Sequence, residues 1–307
     1  MTRPNLETAY QFCKQLAQSH YENFPVASVL LPKKLRRPIS VIYAFARTAD
    51  DIADEGHATA EERLQELEHY RSALRQIDQQ CYSGSELIFI ALDDVIQRHQ
   101  LPIALFEDLL SAFSQDVVKN RYHNFDEVLD YCTRSANPVG RLLLHLVGQT
   151  NQQHLEQSDA ICTSLQLINF YQDIEQDLVE SNRVYIPQDQ LTQGNVSEKD
   201  LIQPNGQSLS PIIRSLYQRT HKIMSVGYPL GNQLPGRIGW EIRAITLGGI
   251  TTLKQLSQQK NNDLLTRPRL SKLTVIKIMW ISLSKTLYQH HTNQLLNIVI
   301  PPKNKPS

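Results

Sequence analysis

The stretch Asn169-Phe170-Tyr171-Gln172-Asp173-Ile174-Glu175-Gln176-Asp177 decides how this chain is read. Its pattern is helical, so Asn169, Asp173 and Asp177, each four residues from the next, share one stripe. Two carboxylate charges about 6 Å apart in a surface-like dielectric repel by roughly 3 kcal/mol. Water reduces that cost, but a stripe turned inward needs a cation. Asp and Asn oxygens suit Mg²⁺, which keeps several waters and takes one or two carboxylates together with phosphate oxygens. A second such feature, Asp50-Asp51-Ile52-Ala53-Asp54, follows a largely apolar run containing Ile39, Ile42, Tyr43, Phe45 and Ala46. Two acidic helix faces aimed at one cavity form a magnesium–diphosphate site. Asp126 and Asp130 repeat the spacing, but no basic or amide residue shares their stripe, so that pair reads as a solvated face.

Outward from these two stretches, helical periodicity dominates and hairpin signals are scarce. The pattern predicts a helix from about Asn5, its N-cap, to Gln18, and a short apolar segment from Val26 to Leu31 that stops at Pro32. Pro38 fits the first turn of a helix from Ile39 to about Glu55, which Gly56 ends, and Thr59 caps a charged helix that fades near Cys81. Helices follow over about 86–98, 102–119, 125–148, 154–181, 208–229, 235–259 and 271–294, with an irregular region at 183–207. No linker or short-period repeat separates domains. The expectation is one all-α domain over 1–300 with a disordered tail at 301–307.

Composition narrows the function classes. The 31 basic and 31 acidic residues cancel, which argues against a nucleic-acid partner. Four cysteines without a C-x-x-C spacing suit a reducing cytoplasm. The first residues lack an apolar signal core. The most apolar late run, Leu273 to Leu283, is interrupted by Lys277 and too short to span a bilayer, and no amphipathic anchor stands out. A cytoplasmic protein, at most peripheral at the inner face of the membrane, is expected. No G-x-G-x-x-G fingerprint is present, so no nicotinamide is expected.

Around the acidic stretches lie further polar candidates. Arg47 precedes Asp50 and Asp51 by three and four residues, so it can be a salt-bridge partner or a diphosphate ligand. Tyr131-Cys132-Thr133-Arg134-Ser135-Ala136-Asn137-Pro138-Val139-Gly140 places a proline inside a helix, where it forces a kink. Small residues there leave room for close helix packing or for a substrate slot with Tyr131 and Asn137 as its polar groups. Arg183-Val184-Tyr185-Ile186-Pro187 is a candidate lid, with Arg183 able to reach phosphate. His20 alone reads as an ordinary satisfied histidine.

Taken together, Tyr43…Arg47-x-x-Asp50-Asp51-x-x-Asp54 and Gln166-x-x-Asn169-x-x-x-Asp173-x-x-x-Asp177, followed by Arg183 and Tyr185, resemble the squalene/phytoene synthase family over about residues 15–260. His20-Tyr21-Glu22-Asn23-Phe24-Pro25-Val26-Ala27 and Ser135-Ala136-Asn137-Pro138-Val139-Gly140 most resemble its bacterial hydroxysqualene-forming members. The resemblance implies an isoprenoid synthase fold, helices around a central cavity with two facing aspartate-rich motifs. It implies that Asp50, Asp54, Asn169, Asp173 and Asp177 hold Mg²⁺ on the diphosphate of a prenyl substrate. By the same resemblance Arg47, Gln166, Arg183 and His20 lie near the diphosphate, and Tyr43, Tyr131 and Phe24 line the cavity.

The favoured substrate is presqualene diphosphate, ionised, rearranged and captured by water to give hydroxysqualene, with Asn137 and Tyr131 placing the water. A presqualene diphosphate synthase and a hydroxysqualene reductase are the functional partners that this reading implies. Two departures bear on it: Gln172 stands where condensing relatives commonly carry Arg, and Asn137-Pro138 stands where they tend to have Gly-Thr or Gly-Ala. Fewer cations fit one diphosphate better than two. Head-to-head condensation of two prenyl diphosphates stays open as an alternative. So does a non-catalytic assembly factor of this fold, although four retained carboxylates argue against a scaffold.

Overall fold

The computed structural model describes residues 5–19, 32–202 and 206–299. Helix accounts for 79% of the described residues, and no strand forms among them, so the protein is all-α. The chain closes into two compact units: Met1–Lys119 with Thr133–Leu155, and Asn120–Cys132 with Glu156–Ser307. Among the described residues no helix is long and apolar enough to cross a membrane.

The first unit is organised by α2 (Lys33–Asp54), against which α1 (Leu6–Ser19), α4 (Leu87–His99) and α5 (Ile103–Val118) pack. Pro38, Ile42, Phe45, Ala49 and Ala53 recur every three or four residues along α2 and are buried. Phe45 is fully buried, its ring 5.4 Å from Phe106 and 5.7 Å from Tyr70. Tyr70 lies on α3 (Ala60–Asp78), which Thr59 caps as expected, and Glu62 reciprocates to complete a capping box. The helix starts six residues before Ile39. Pro38 therefore lies inside it and removes one backbone bond, while burial of Leu35 holds the added turn.

The expected helix over 125–148 is two helices, α6 (Phe125–Ser135) and α7 (Asn137–Leu146). Ala136 (φ −116°) separates them, and Pro138 falls in the first turn of α7, where its missing N–H costs nothing. The second acidic helix is likewise divided, into α8 (Gln152–Gln172) and α9 (Ile174–Ser181), with Asp173 at the joint. A short α10 (Gln188–Gln193) and a single 3₁₀ turn at Glu198–Leu201 lie within the region expected to be irregular.

In the second unit, α13 (Gly236–Ser257) packs against α11 (Gly206–Gly227), α12 (Leu230–Gln233), α14 (Lys272–Leu283) and α15 (Lys285–Val299). A Cβ on Gly249 would sit 2.5 Å from Leu165, so this glycine lets α13 approach α8 closely. The expected helix over 271–294 breaks at Ser284. Its backbone is extended (φ −102°, ψ 124°), and its hydroxyl accepts from Leu287 N–H at 3.3 Å, capping α15.

Candidate functional site

The first acidic stretch ends α2. Tyr43, Arg47, Asp50 and Asp54 follow one another at four, three and four residues, on the face beside the buried Phe45 stripe. Asp51 is engaged: its Oδ1 lies 2.5 Å from the Arg47 guanidinium, which also reaches Glu55 at 2.6 Å and Asp50 at 3.7 Å. Burial pulls the Arg47 guanidinium down, but Asp51, Asp50 and Glu55 outweigh it and leave its pKa raised. Its Nε is buried without an acceptor among the described residues, a donor suited to an anion. Tyr43, raised mainly by burial, stands one turn before Arg47.

The end of α2 is held from α3 by a residue that the sequence reading passed over. Arg63 donates to the carbonyls of Ile52 and Gly56 at 3.0 Å and of Ala58 at 3.1 Å. A cation at a helix C-terminus complements its dipole and satisfies terminal carbonyls. Asn137, the other candidate in this unit, is buried at the first position of α7, and the neighbouring Ser135 hydroxyl is buried without a partner among the described residues.

The second acidic stretch keeps its register through the joint. Asp173 N–H donates to Asn169 O at 3.0 Å and Asp177 N–H to Asp173 O at 2.7 Å, so backbone bonds run along the expected ligand stripe. Asn169 is exposed, and Gln166, Asp173 and Asp177 are half-buried. Arg267 Nε approaches Asp173 Oδ1 at 3.0 Å, off the hydrogen-bonding direction, so Oδ1 stays buried without a hydrogen bond among the described residues. Burial raises the Asp173 carboxyl, Arg267 pulls it back, and Glu180 adds to the rise. A half-buried carboxylate with an unsatisfied oxygen fits a cation.

Gln172, where a second arginine is absent, donates through Nε2 to Pro268 O at 3.0 Å, anchoring the segment that carries Arg267. No helical spacing signals this pairing, because 94 residues separate Arg267 from Asp173.

The segment after α9 is not a lid. Asn182 ends the helix in the left-handed region (φ 51°), and Arg183 N–H returns to Asp177 O at 2.9 Å. Val184 N–H donates to Asn120 O at 3.0 Å and Gln188 N–H to Tyr122 O at 2.9 Å, while Val184, Tyr185 and Ile186 are buried. Arg121 locks the turn by binding Asn182 and Glu198. This pinning corrects the lid expectation: backbone pairing and burial make the segment a wall.

That wall completes an aromatic cluster. The ring of Tyr185 stacks on Phe170 at 3.6 Å, on Tyr122 at 5.4 Å, and lies 5.8 Å from Tyr131. Tyr131 and Tyr185 were expected here; Tyr122 and Phe170 were not, because Tyr122 lies outside both acidic stretches and Phe170 is off the Asn169–Asp173–Asp177 stripe. Such faces favour a nearby cation by about 2 kcal/mol when water is excluded.

The candidates therefore fall into two sets, Tyr43, Arg47, Asp50, Asp54 and Asn137 in the first unit, and Tyr131, Gln166, Asn169, Asp173, Asp177, Arg183 and Tyr185 in the second. His20 and Phe24 lie outside the described residues, as do Val26–Leu31 and the tail. Among the described residues no three His, Cys, Asp or Glu side chains group closely enough to hold a metal on their own. Each acidic stretch instead offers what Mg²⁺ uses alongside water and phosphate, one or two carboxylates.

Residues 17–274 match the family model described as squalene/phytoene synthase. The chain is 41% identical over 182 residues to a hydroxysqualene synthase of Zymomonas mobilis, covering 59% of each protein. A hydroxysqualene synthase of Rhodopseudomonas palustris is 34% identical over 73% of this chain and 75% of its own length. Among solved structures, squalene synthase HpnC from Alicyclobacillus acidocaldarius superposes with a TM-score of 0.76 at 32% identity, covering 83% of this chain and 95% of that one.

Proposed function

On the premise that the chain belongs to the squalene/phytoene synthase family, we propose that it is a hydroxysqualene synthase, converting presqualene diphosphate and water to hydroxysqualene and diphosphate. Enzymes of this family act on prenyl diphosphates and generally use a divalent metal. The single observation that carries the finer reading is the surroundings of Asp173. One half-exposed arginine meets that carboxylate, and the neighbouring Gln172 amide is occupied by a backbone carbonyl, so the stretch is poor in cations. One diphosphate needs less positive charge than two.

In this reading Asp50, Asp54, Asn169, Asp173 and Asp177 hold Mg²⁺. When bound, the ion neutralises the diphosphate and makes it a better leaving group. Arg47, Gln166 and Arg183 bind diphosphate oxygens, and the unsatisfied Nε of Arg47 supports its part. His20 and Phe24 keep the substrate-binding roles that the resemblance gives them. The aromatic cluster of Tyr131, Tyr185, Phe170 and Tyr122 stabilises the carbocation and excludes water until rearrangement is complete. Asn137, whose amide both donates and accepts, positions the water that ends the reaction, and Tyr131 shares that role. A presqualene diphosphate synthase supplies the substrate in this reading, and a hydroxysqualene reductase consumes the product.

The test is a product assay on the purified chain with Mg²⁺ and no nicotinamide, read by mass spectrometry. Presqualene diphosphate is expected to give hydroxysqualene, and farnesyl diphosphate nothing. A thirty-carbon product from farnesyl diphosphate would make the protein a head-to-head prenyl transferase. No product from either, nor from longer prenyl diphosphates, would favour a non-catalytic assembly role.

A further inference from the structure

Helix α14 is apolar on nearly every side, yet only one side is covered. Ile278, Ile281 and Ser282 are buried, whereas Leu273, Ile276, Trp280 and Leu283 recur at three- and four-residue intervals and are 79%, 64%, 64% and 56% exposed. Val275 and, just beyond the break, Leu287 are exposed too. Six of the eleven large apolar side chains exposed among the described residues fall between 273 and 287; the other five are scattered along the chain. Exposed apolar residues that gather on one helix mark a contact surface, whereas single ones do not.

Charge identifies the partner. From Leu264 to Ser307 the chain has no Asp or Glu, while Arg267, Arg269, Lys272, Lys277, Lys285, Lys303 and Lys305 are basic, in a protein whose charges cancel over its whole length. Lys272, Lys277 and Lys285 are exposed. Lys277, four residues from Leu273 and three from Trp280, stands beside the stripe. We propose that the outward face of α14, bordered by Lys272, Lys277 and Lys285, seats the protein on an anionic lipid bilayer. A second copy docked face to face would set lysine against lysine, which disfavours self-association through this surface. A twelve-residue helix is too short to span the hydrocarbon, but long enough to lie in the headgroup region. There Trp280 occupies the interface that tryptophan prefers, and the lysine stems let their ammonium groups reach phosphate.

The experiment uses the full chain without substrate, so its outcome is independent of the enzymatic reading. Vesicles of phosphatidylcholine alone, or mixed with phosphatidylglycerol, are titrated at low and high salt and followed by sedimentation. Tryptophan emission is followed in parallel, with and without brominated lipid. Trp240 and Trp280 are the chain's two tryptophans, so Trp280→Phe supplies the background. Binding to the anionic vesicles, weakened by salt, with Trp280 emission shifted to the blue and quenched by brominated lipid, is the expected result. Lys272→Ala and Lys277→Ala should each weaken partitioning about fivefold, and Ile276→Ser with Trp280→Ser by about tenfold or more. These side chains are exposed, so the variants should melt as the native chain does. Equal binding to neutral vesicles, binding without Trp280 quenching, or no binding would overturn the proposal. So would a dimer that Trp280→Ser dissociates in the absence of vesicle binding.

Discussion

Replacing Asp173 by Asn should change stability in opposite directions with and without ligand. The Arg267 guanidinium lies 3.0 Å from the carboxylate, and at an effective dielectric near 20 such a pair attracts by about 5.5 kcal/mol before other costs. Arg267 is 49% exposed and approaches off the hydrogen-bonding direction, so the net value falls to about 1 kcal/mol or less. Against it stands the burial that raises the carboxyl's pKa. Asn keeps the shape and removes the charge. Ligand-free Asp173→Asn should therefore melt at the same temperature as the native chain or about 2 °C higher, on the order of 1 kcal/mol. With Mg²⁺ and pyrophosphate at about a hundred times their dissociation constant, the native chain gains about 2.7 kcal/mol. The variant should lose most of that gain, so the order of the two melting curves reverses. Paired melts by differential scanning fluorimetry read this directly. If Asp173→Asn lowers the melting temperature equally in both conditions, the carboxylate is a structural partner of Arg267 and the cation argument fails.

Arg63→Ala removes the donor to one carbonyl in the last turn of α2 and two in the loop after it, and should cost about 1–2 kcal/mol, weakening pyrophosphate-induced stabilisation more than Arg63→Lys does. Asn137→Ala should lower the yield of hydroxysqualene from presqualene diphosphate and shift the product ratio, and an unchanged ratio would remove Asn137 from water placement. His221 is buried, and burial holds its imidazole below the ordinary value, so the unfolded chain takes up the proton first as pH falls through about 6.5. Stability should drop between pH 7 and pH 5, and the drop should be shallower in His221→Phe.

The all-α class was legible because alternation at three and four residues is a local property of the chain. The Thr59–Glu62 cap and the two acidic stripes were legible for the same reason. Breaks within helices were harder to see. Asp173 and Ser284 have no proline or glycine, and their backbone departures are set by packing and by a side-chain cap. Pro38 misled in the other direction, since burial of Leu35 carries the helix past a residue that normally begins one. Groups arriving from far along the chain were invisible. Arg267, Arg63 and Tyr122 meet the acidic ends and the Tyr185 wall through tertiary packing, which no spacing rule encodes. The Arg183–Pro187 segment looked like a lid because it follows the second acidic helix and carries Arg183, while its sequence does not show the carbonyls of Asn120 and Tyr122 that receive the N–H groups of Val184 and Gln188.

The order in which the chain visits its two units has a consequence for recombination. The chain leaves the first unit after Lys119, returns at Thr133 and departs again after Leu155. No single crossover point exchanges one unit whole between relatives. A chimera joined at 119/120 would take α7, and Asn137 with it, from the other parent. Chimeras intended to preserve both units need three matched junctions, at 119/120, 132/133 and 155/156, of which the second interrupts α6 and the third α8. Those two helices would each be hybrids of both parents, so inheritance of the Asn137 region and of the Asn169–Asp177 stripe can be chosen separately only where α6 and α8 tolerate a seam.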